Sequence, residues 1–162
     1  VFLRGPTYIP IWVSVGIDAV AGISPAEVRE AVKQALKDFL SPLPRPGIPL
    51  LDTQAALLST PQYTMMQKGW PLRKPVVALE LLGVANRVPN VLLVNNVLLA
   101  RDTGVATERI DLRGLELPRL VGISVSIGDP LDLDQLRGQD ALPTITPRKN
   151  VVPVPVIPEE CR

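Results

Sequence analysis

Ser24–Leu43, S-P-A-E-V-R-E-A-V-K-Q-A-L-K-D-F-L-S-P-L, is the stretch around which the fold can be built. Ser24 and Glu27 have the spacing of a capping box, in which each side chain reaches the other's backbone amide. Pro25 takes the first helical position, where no donor is missed. Val28, Ala31, Val32, Ala35, Leu36, Phe39 and Leu40 recur at three- and four-residue spacing, while Glu27, Arg29, Glu30, Lys33, Gln34, Lys37 and Asp38 fill the opposite face. The spacing predicts an amphipathic helix with one buried stripe. Pro42 removes a donor and biases Ser41 away from helical geometry, so the helix stops after about four turns.

Upstream, Tyr8–Asp18 alternates. Ile9, Ile11, Val13, Val15 and Ile17 fall on one side, and Tyr8, Pro10, Trp12, Ser14 and Gly16 on the other, the pattern of a half-buried strand. Pro10 cannot donate to a ladder, so this strand lies at an edge or begins pairing just after it. Trp12 sits on the less apolar face and needs cover from a buried neighbour or a partner subunit. Val1 is not a methionine and the strand starts within a few residues, so further sequence is expected before it.

Downstream, Pro44, Pro46, Pro49 and Pro61 punctuate residues 44–68, read as an insertion that loops out of the domain. Met65 and Met66 near its end suit local gap-filling better than a partner surface. A second helix is predicted over roughly Val76–Val88. It is apolar nearly all round apart from Glu80, Asn86 and Arg87, so it should be sandwiched between the sheet and the first helix. Gly83 within it costs about 1 kcal/mol relative to alanine, which a close backbone approach would offset. Val91–Ala100 reads as one strand with a polar or bulged centre at Asn95-Asn96 in preference to a hairpin. Ile110–Leu112 is a brief strand, and Arg119–Gly128 alternates again, with Val121, Ile123, Val125 and Ile127 inward and Gly122, Ser124, Ser126 and Gly128 outward. Asp129–Gly138 is an acidic turn. The chain ends in a proline-rich tail, residues 138–162, whose Val151–Pro158 stretch favours an extended backbone and cannot join a central strand. Such a tail lies along a surface of this subunit or a neighbour, or stays unstructured.

These elements predict an α+β fold: a small two-layer domain over residues 1–137, with two helices on a mostly antiparallel sheet of three to four strands, plus the insertion and the tail. At 162 residues the chain can bury roughly two thirds of its unfolded surface without staples. Seventeen basic residues are scattered among sixteen acidic ones, which argues against a nucleic-acid footprint or an anionic membrane. No apolar run approaches a bilayer-spanning length. The run Ile9–Ile17 makes a poor signal peptide, interrupted by Pro10 and led by one arginine.

Chemistry is hard to find. The absence of histidine excludes Ser-His-Asp and Cys-His nucleophile activation and removes the commonest metal ligand. The lone Cys161 cannot form an internal bridge. Asp129, Asp132 and Asp134 with Gln135 lack the glycine and closing glutamate of a calcium loop. Ser124 and Ser126 have no base beside them in sequence, and no phosphate-cradling glycine pattern occurs. No enzyme, metal or cofactor is therefore expected.

Five short motifs nevertheless occur in order: Tyr8-Ile9-Pro10-Ile11-Trp12-Val13-Ser14-Val15, Phe39-Leu40-Ser41-Pro42-Leu43, Gly69-Trp70-Pro71-Leu72, Arg87-Val88-Pro89-Asn90-Val91 and Glu116-Leu117-Pro118-Arg119-Leu120-Val121-Gly122-Ile123. Over about Tyr8–Ile127 the chain resembles the C-terminal domain of the baseplate J-like wedge proteins of contractile phage tails and phage-tail-like injection systems. It departs from that family in the 44–68 insertion, where members tend to carry a short glycine-rich link. Asn90 and Arg73 also stand where family glycines are common, which puts those turns in doubt. The resemblance implies a structural protein of the baseplate, assembled in the cytoplasm. Its partners would be a second related wedge subunit, neighbouring copies, the hub and spike and sheath-proximal proteins. Such domains link wedges into a ring around the hub and contribute to contraction by rearrangement. On that basis Trp12, Ser14, Trp70, Ser124, Ser126, Val154 and Val156 are the interface candidates. The alternative is a small α+β ligand-binding or regulatory module that uses the face of Trp12, Ser14, Ser124 and Ser126.

Overall fold

The computed structural model describes residues 4–43 and 69–138. The expectations for the insertion, Met65, Met66 and the tail with Val154 and Val156 lie outside the described residues. In chain order the elements are β1 (Thr7–Ala19), α1 (Pro25–Phe39), β2 (Val76–Val77), α2 (Ala78–Asn86), β3 (Val91–Arg101), β4 (Arg109–Ile110), β5 (Glu116–Ile127) and α3 (Leu133–Leu136). The main sheet has the order β3-β1-β5, and β2 pairs with β4 in a second, two-stranded sheet. β1 runs antiparallel to β3 and parallel to β5, while β2 and β4 are antiparallel, so two of the three described strand pairs are antiparallel. The architecture is the α+β, two-layer one read from the sequence.

β1 is central despite Pro10. Its ladder with β3 begins at Ile11, opposite Arg101, and the Pro10 carbonyl accepts from the Asp102 amide at 3.0 Å. The missing proline donor therefore falls at the ladder's end, where its loss costs little. Ile11, Val13, Val15 and Ile17 are fully buried on one face. α1 covers the β5 side of that face and α2 the β3 side, and the two helices touch each other.

α1 starts at Pro25 and ends at Phe39, burying Val28, Val32, Leu36 and Phe39. The expected capping-box side-chain bond at Ser24 is absent. Ser24 instead receives the Val28 amide on its backbone carbonyl at 3.3 Å, and both Ser24 and Glu27 are exposed, where water competes for their side chains.

α2 departs from expectation in three ways. Val76 and Val77 belong to a strand paired with Ile110 and Arg109, so the helix begins at Ala78. It is not enclosed all round: Leu81, Val84 and Ala85 are buried, but Leu79 is 73% exposed. No atom would lie within 4 Å of a Cβ at Gly83, so no close approach explains that glycine.

The strands carry bulges where their patterns break. β3 is one strand with its irregularity at the asparagines: Gly16 pairs with Asn96 and Ile17 with Val94, leaving Asn95 extra. A second shift leaves Leu92 unpaired, and Leu92 and Leu93 are both exposed. β5 begins earlier than expected, at Glu116, and tolerates Pro118 because it is the sheet's edge among the described residues. Ile11 pairs with Leu120 and Trp12 with Gly122, so Val121 is bulged out and half-exposed. The expected inward position of Val121 is thereby corrected, with Leu120 packing against the core instead. Ile127, also expected inward, is 47% exposed at the strand's end.

Candidate functional site

The second face of the sheet gathers the residues that the sequence set apart. Trp12 lies between Ala100 and Gly122, Ser14 between Leu98 and Ser124, and Gly16 between Asn96 and Ser126. A Cβ on Gly122 would overlap the Trp12 ring, so glycine there makes room for the indole across the parallel pair. Gly16 has the same role one turn of alternation on: its open side is filled by the backbone of Gly128, Asp129 and Pro130.

That backbone is the start of a cover. Gly128 donates to the Ile17 carbonyl at 2.9 Å, and the Asn95 side-chain amide donates to the Gly128 carbonyl at 2.9 Å and to Asp18 Oδ1 at 3.3 Å. The Ser126 hydroxyl donates to the Asp129 carbonyl at 2.5 Å. The bulge at Asn95 thus aims a side chain that anchors the turn after β5. Asp132 then caps α3 by accepting from the Asp134 amide, and Leu133, 4% exposed, packs beneath.

Arg137 closes the cover. Its guanidinium stands 5.9 Å from the centroid of the Trp12 ring. Nη2 donates to the Gly104 carbonyl at 2.8 Å, and Nη1 donates to Asp134 Oδ1 at 3.1 Å. The side chain is only 5% exposed, and Nε finds no partner. Ser14 Oγ, fully buried under the same cover, is likewise without a partner. Burying two such groups is unfavourable, so this face is closed less well than the apolar one.

The interface candidates therefore divide. Trp12, Ser124 and Ser126 are partly accessible, whereas Ser14 is enclosed and offers a partner nothing. Trp70 is also corrected: it is 4% exposed and belongs to the core. It meets Phe39 edge to face at 5.5 Å, its indole donates to the Lys74 carbonyl at 3.1 Å, and the Lys74 ammonium lies 4.7 Å from its ring centroid. A tryptophan that joins two chain segments in this way holds the fold.

One further surface went unread in the sequence. A groove of ≈ 500 Å³ runs along the outer edge of β5, between the C-terminal end of α1 and the strand, lined chiefly by Leu40, Pro42, Pro118, Leu120, Val121 and Ile123. The alternation of the sequence places Val121 inward, and only the bulge turns it outward. On α1's wet face, the Lys33 ammonium, hydrogen-bonded at 2.7 Å, holds the Glu30 carboxyl below its ordinary range. No group of three or more acidic or cysteine side chains suited to a metal occurs among the described residues. No helix among them is long and apolar enough to cross a membrane. No protein-family model matches the chain, and no curated protein is significantly similar to it.

Proposed function

We propose that the chain is a structural wedge domain of a contractile phage tail or phage-tail-like injection system. It joins neighbouring wedge subunits into the baseplate ring around the hub and spike, and it acts by rearrangement, without catalysis. The observation that carries this reading is backbone geometry at the two positions where the chain departs from the family's glycines. Arg73 has φ 63° and Asn90 φ 70°. Left-handed geometry costs a non-glycine residue roughly 1–2 kcal/mol, and asparagine tolerates it best. Only Asp102 joins them as a non-glycine residue with positive φ among the described residues. The turns that glycine would favour are thus kept even though the glycines are replaced.

The motif residues also meet one another. Gly69, at φ 75°, packs so closely on Pro42 that a Cβ would overlap the Pro42 carbonyl, and the Trp70 amide donates to the Ser41 carbonyl at 3.0 Å. The Phe-Leu-Ser-Pro-Leu and Gly-Trp-Pro motifs therefore form one junction, and the 44–68 insertion leaves and returns there. The ligand-module alternative loses Ser14, one of the four residues of its face, to the cover.

The test is the size of the native species. Protein from its source is sedimented under conditions that keep large assemblies intact, and the pellet is analysed by mass spectrometry. The proposal expects co-recovery with sheath, tube and spike proteins. A small, discrete species with a saturable small-molecule site would overturn it in favour of the alternative.

A further inference from the structure

We propose that the outer edge of β5 is completed by the chain's own Val152–Ile157 segment, added as a further strand with its valines in the groove beside α1. The inference stands apart from the baseplate reading and rests on hydrogen-bonding direction. Gly128 turns its amide to the Ile17 carbonyl of β1, and Ser126 pairs with Gly16 in the same parallel register. By the two-residue alternation of a strand, Ser126, Ser124 and Gly122 face β1 with their backbone groups, and Ile123, Val125 and Ile127 turn theirs outward. No described strand pairs with them. A long unpaired edge beside an apolar groove is the arrangement that strand addition uses.

The tail has the complementary pattern. In V-P-V-P-V-I, Val152, Val154 and Val156 alternate with Pro153 and Pro155. If this segment is extended, the three valine amides point to one edge, and the other edge has lost two donors. It can therefore pair on one side only, as the last strand of a sheet and never an inner one. The proline edge then blunts further addition. The same alternation sets the three valine side chains on one face, suited to a groove walled by Leu40, Pro42, Leu120 and Ile123. For L-residues, valine amides toward β5 and valine side chains toward α1 fix the direction: the added strand runs antiparallel to β5.

Reach is not limiting. Arg137 stands over Trp12 on β1, which is the neighbour of β5. Twelve residues, 139–150, precede Val151. Fully extended they span up to about 40 Å, against about 4.8 Å between neighbouring strands.

The test is amide hydrogen exchange of the full chain, read at Ile123, Val125 and Ile127. In Val154→Pro one amide on the bonding edge is removed while the segment stays apolar, and in Val154→Lys a cation enters the groove beside Lys37 and Arg119, which also line it. The proposal expects exchange at these three amides to rise by about tenfold or more in both variants, with the core amides of β1 unchanged. Pro153→Ala, which alters only the outer edge, should leave them protected. Equal exchange in the parent and Val154 variants would overturn the proposal. So would protection lost on deleting residues 44–68, since the insertion emerges beside the same groove. A dimer that dissociates in Val154→Lys would also overturn it by making a second copy the occupant.

Discussion

The two faces of β1 are closed by different means. On one, Ile11, Val13, Val15 and Ile17 are fully buried under two helices, with Leu36, Leu81 and Leu99 equally enclosed. On the other, a tryptophan, a serine and a glycine lie under a single helical turn held by Leu133, Asn95 and Arg137. Full burial of an aliphatic side chain stabilises by about 1.5–3 kcal/mol, so the first face holds the fold together. The second relies on a cation–π contact of about 0.5–2 kcal/mol and a few hydrogen bonds, and it leaves two buried polar atoms unpaired. A face closed so lightly is the one expected to open first, and the proposed role by rearrangement would draw on such an element.

The sharpest way to break this contrast is to damage each face in turn. Leu36→Ala, in the stripe of α1, should cost about 2–5 kcal/mol by chemical denaturation and lower the stability of the whole domain. Gly16→Ala acts from the opposite side. Its Cβ would overlap the backbone of residues 128–130, so it should cost about 1–3 kcal/mol and release the cover. The sign of that release is faster exchange at Gly128 and Leu136, while α1 keeps its protection. Equal loosening of both faces would show that they form one cooperative unit.

Smaller changes sharpen the account of the cover. Arg137→Ala removes the cation over Trp12 and the bond to the Gly104 carbonyl, and should cost about 1 kcal/mol with a change in Trp12 fluorescence. Ser14→Ala should have the opposite sign. It deletes a buried hydroxyl that has no partner, and stability should rise by up to about 1 kcal/mol in the same denaturation experiment. A loss of stability there would mean that Ser14 has a partner after all. Asn90→Gly relaxes a left-handed residue and should change stability by only a few tenths of a kcal/mol, because the lower strain is offset by the freer unfolded chain.

Much of the first face was legible in the sequence, because its signals are local. The period of Val28–Leu40, the alternation of Ile9–Ile17 and the punctuation at Pro25 and Pro42 each determine one element without reference to the rest. The bulge at the asparagines was legible too, since two polar residues interrupt an apolar strand. What escaped were relations between distant segments. Nothing near Val121 says that Ile11 and Trp12 skip over it, and nothing near Gly83 says that the space beside it is open. Trp70 reads as an interface anchor in the sequence because tryptophan is common at interfaces, yet its neighbours Phe39 and Lys74 make it a core residue. The cover was missed for the opposite reason. Asp129–Gly138 carries one apolar residue that is buried, Leu133, and its docking depends on the space that Gly16 leaves on β1, while Gly122 on the adjacent strand makes room for Trp12.

The measurement that tests the central claim most directly is electron cryomicroscopy of the pelleted native particles, at a resolution that shows helices and strands. The account predicts this α+β domain in a ring at the tube end of a sheathed particle, with copies repeated around the central spike and with the Trp12 side of the sheet against a neighbouring subunit. Density for such particles in which no copy of this fold appears in the ring, although the protein is intact in the source, would contradict it.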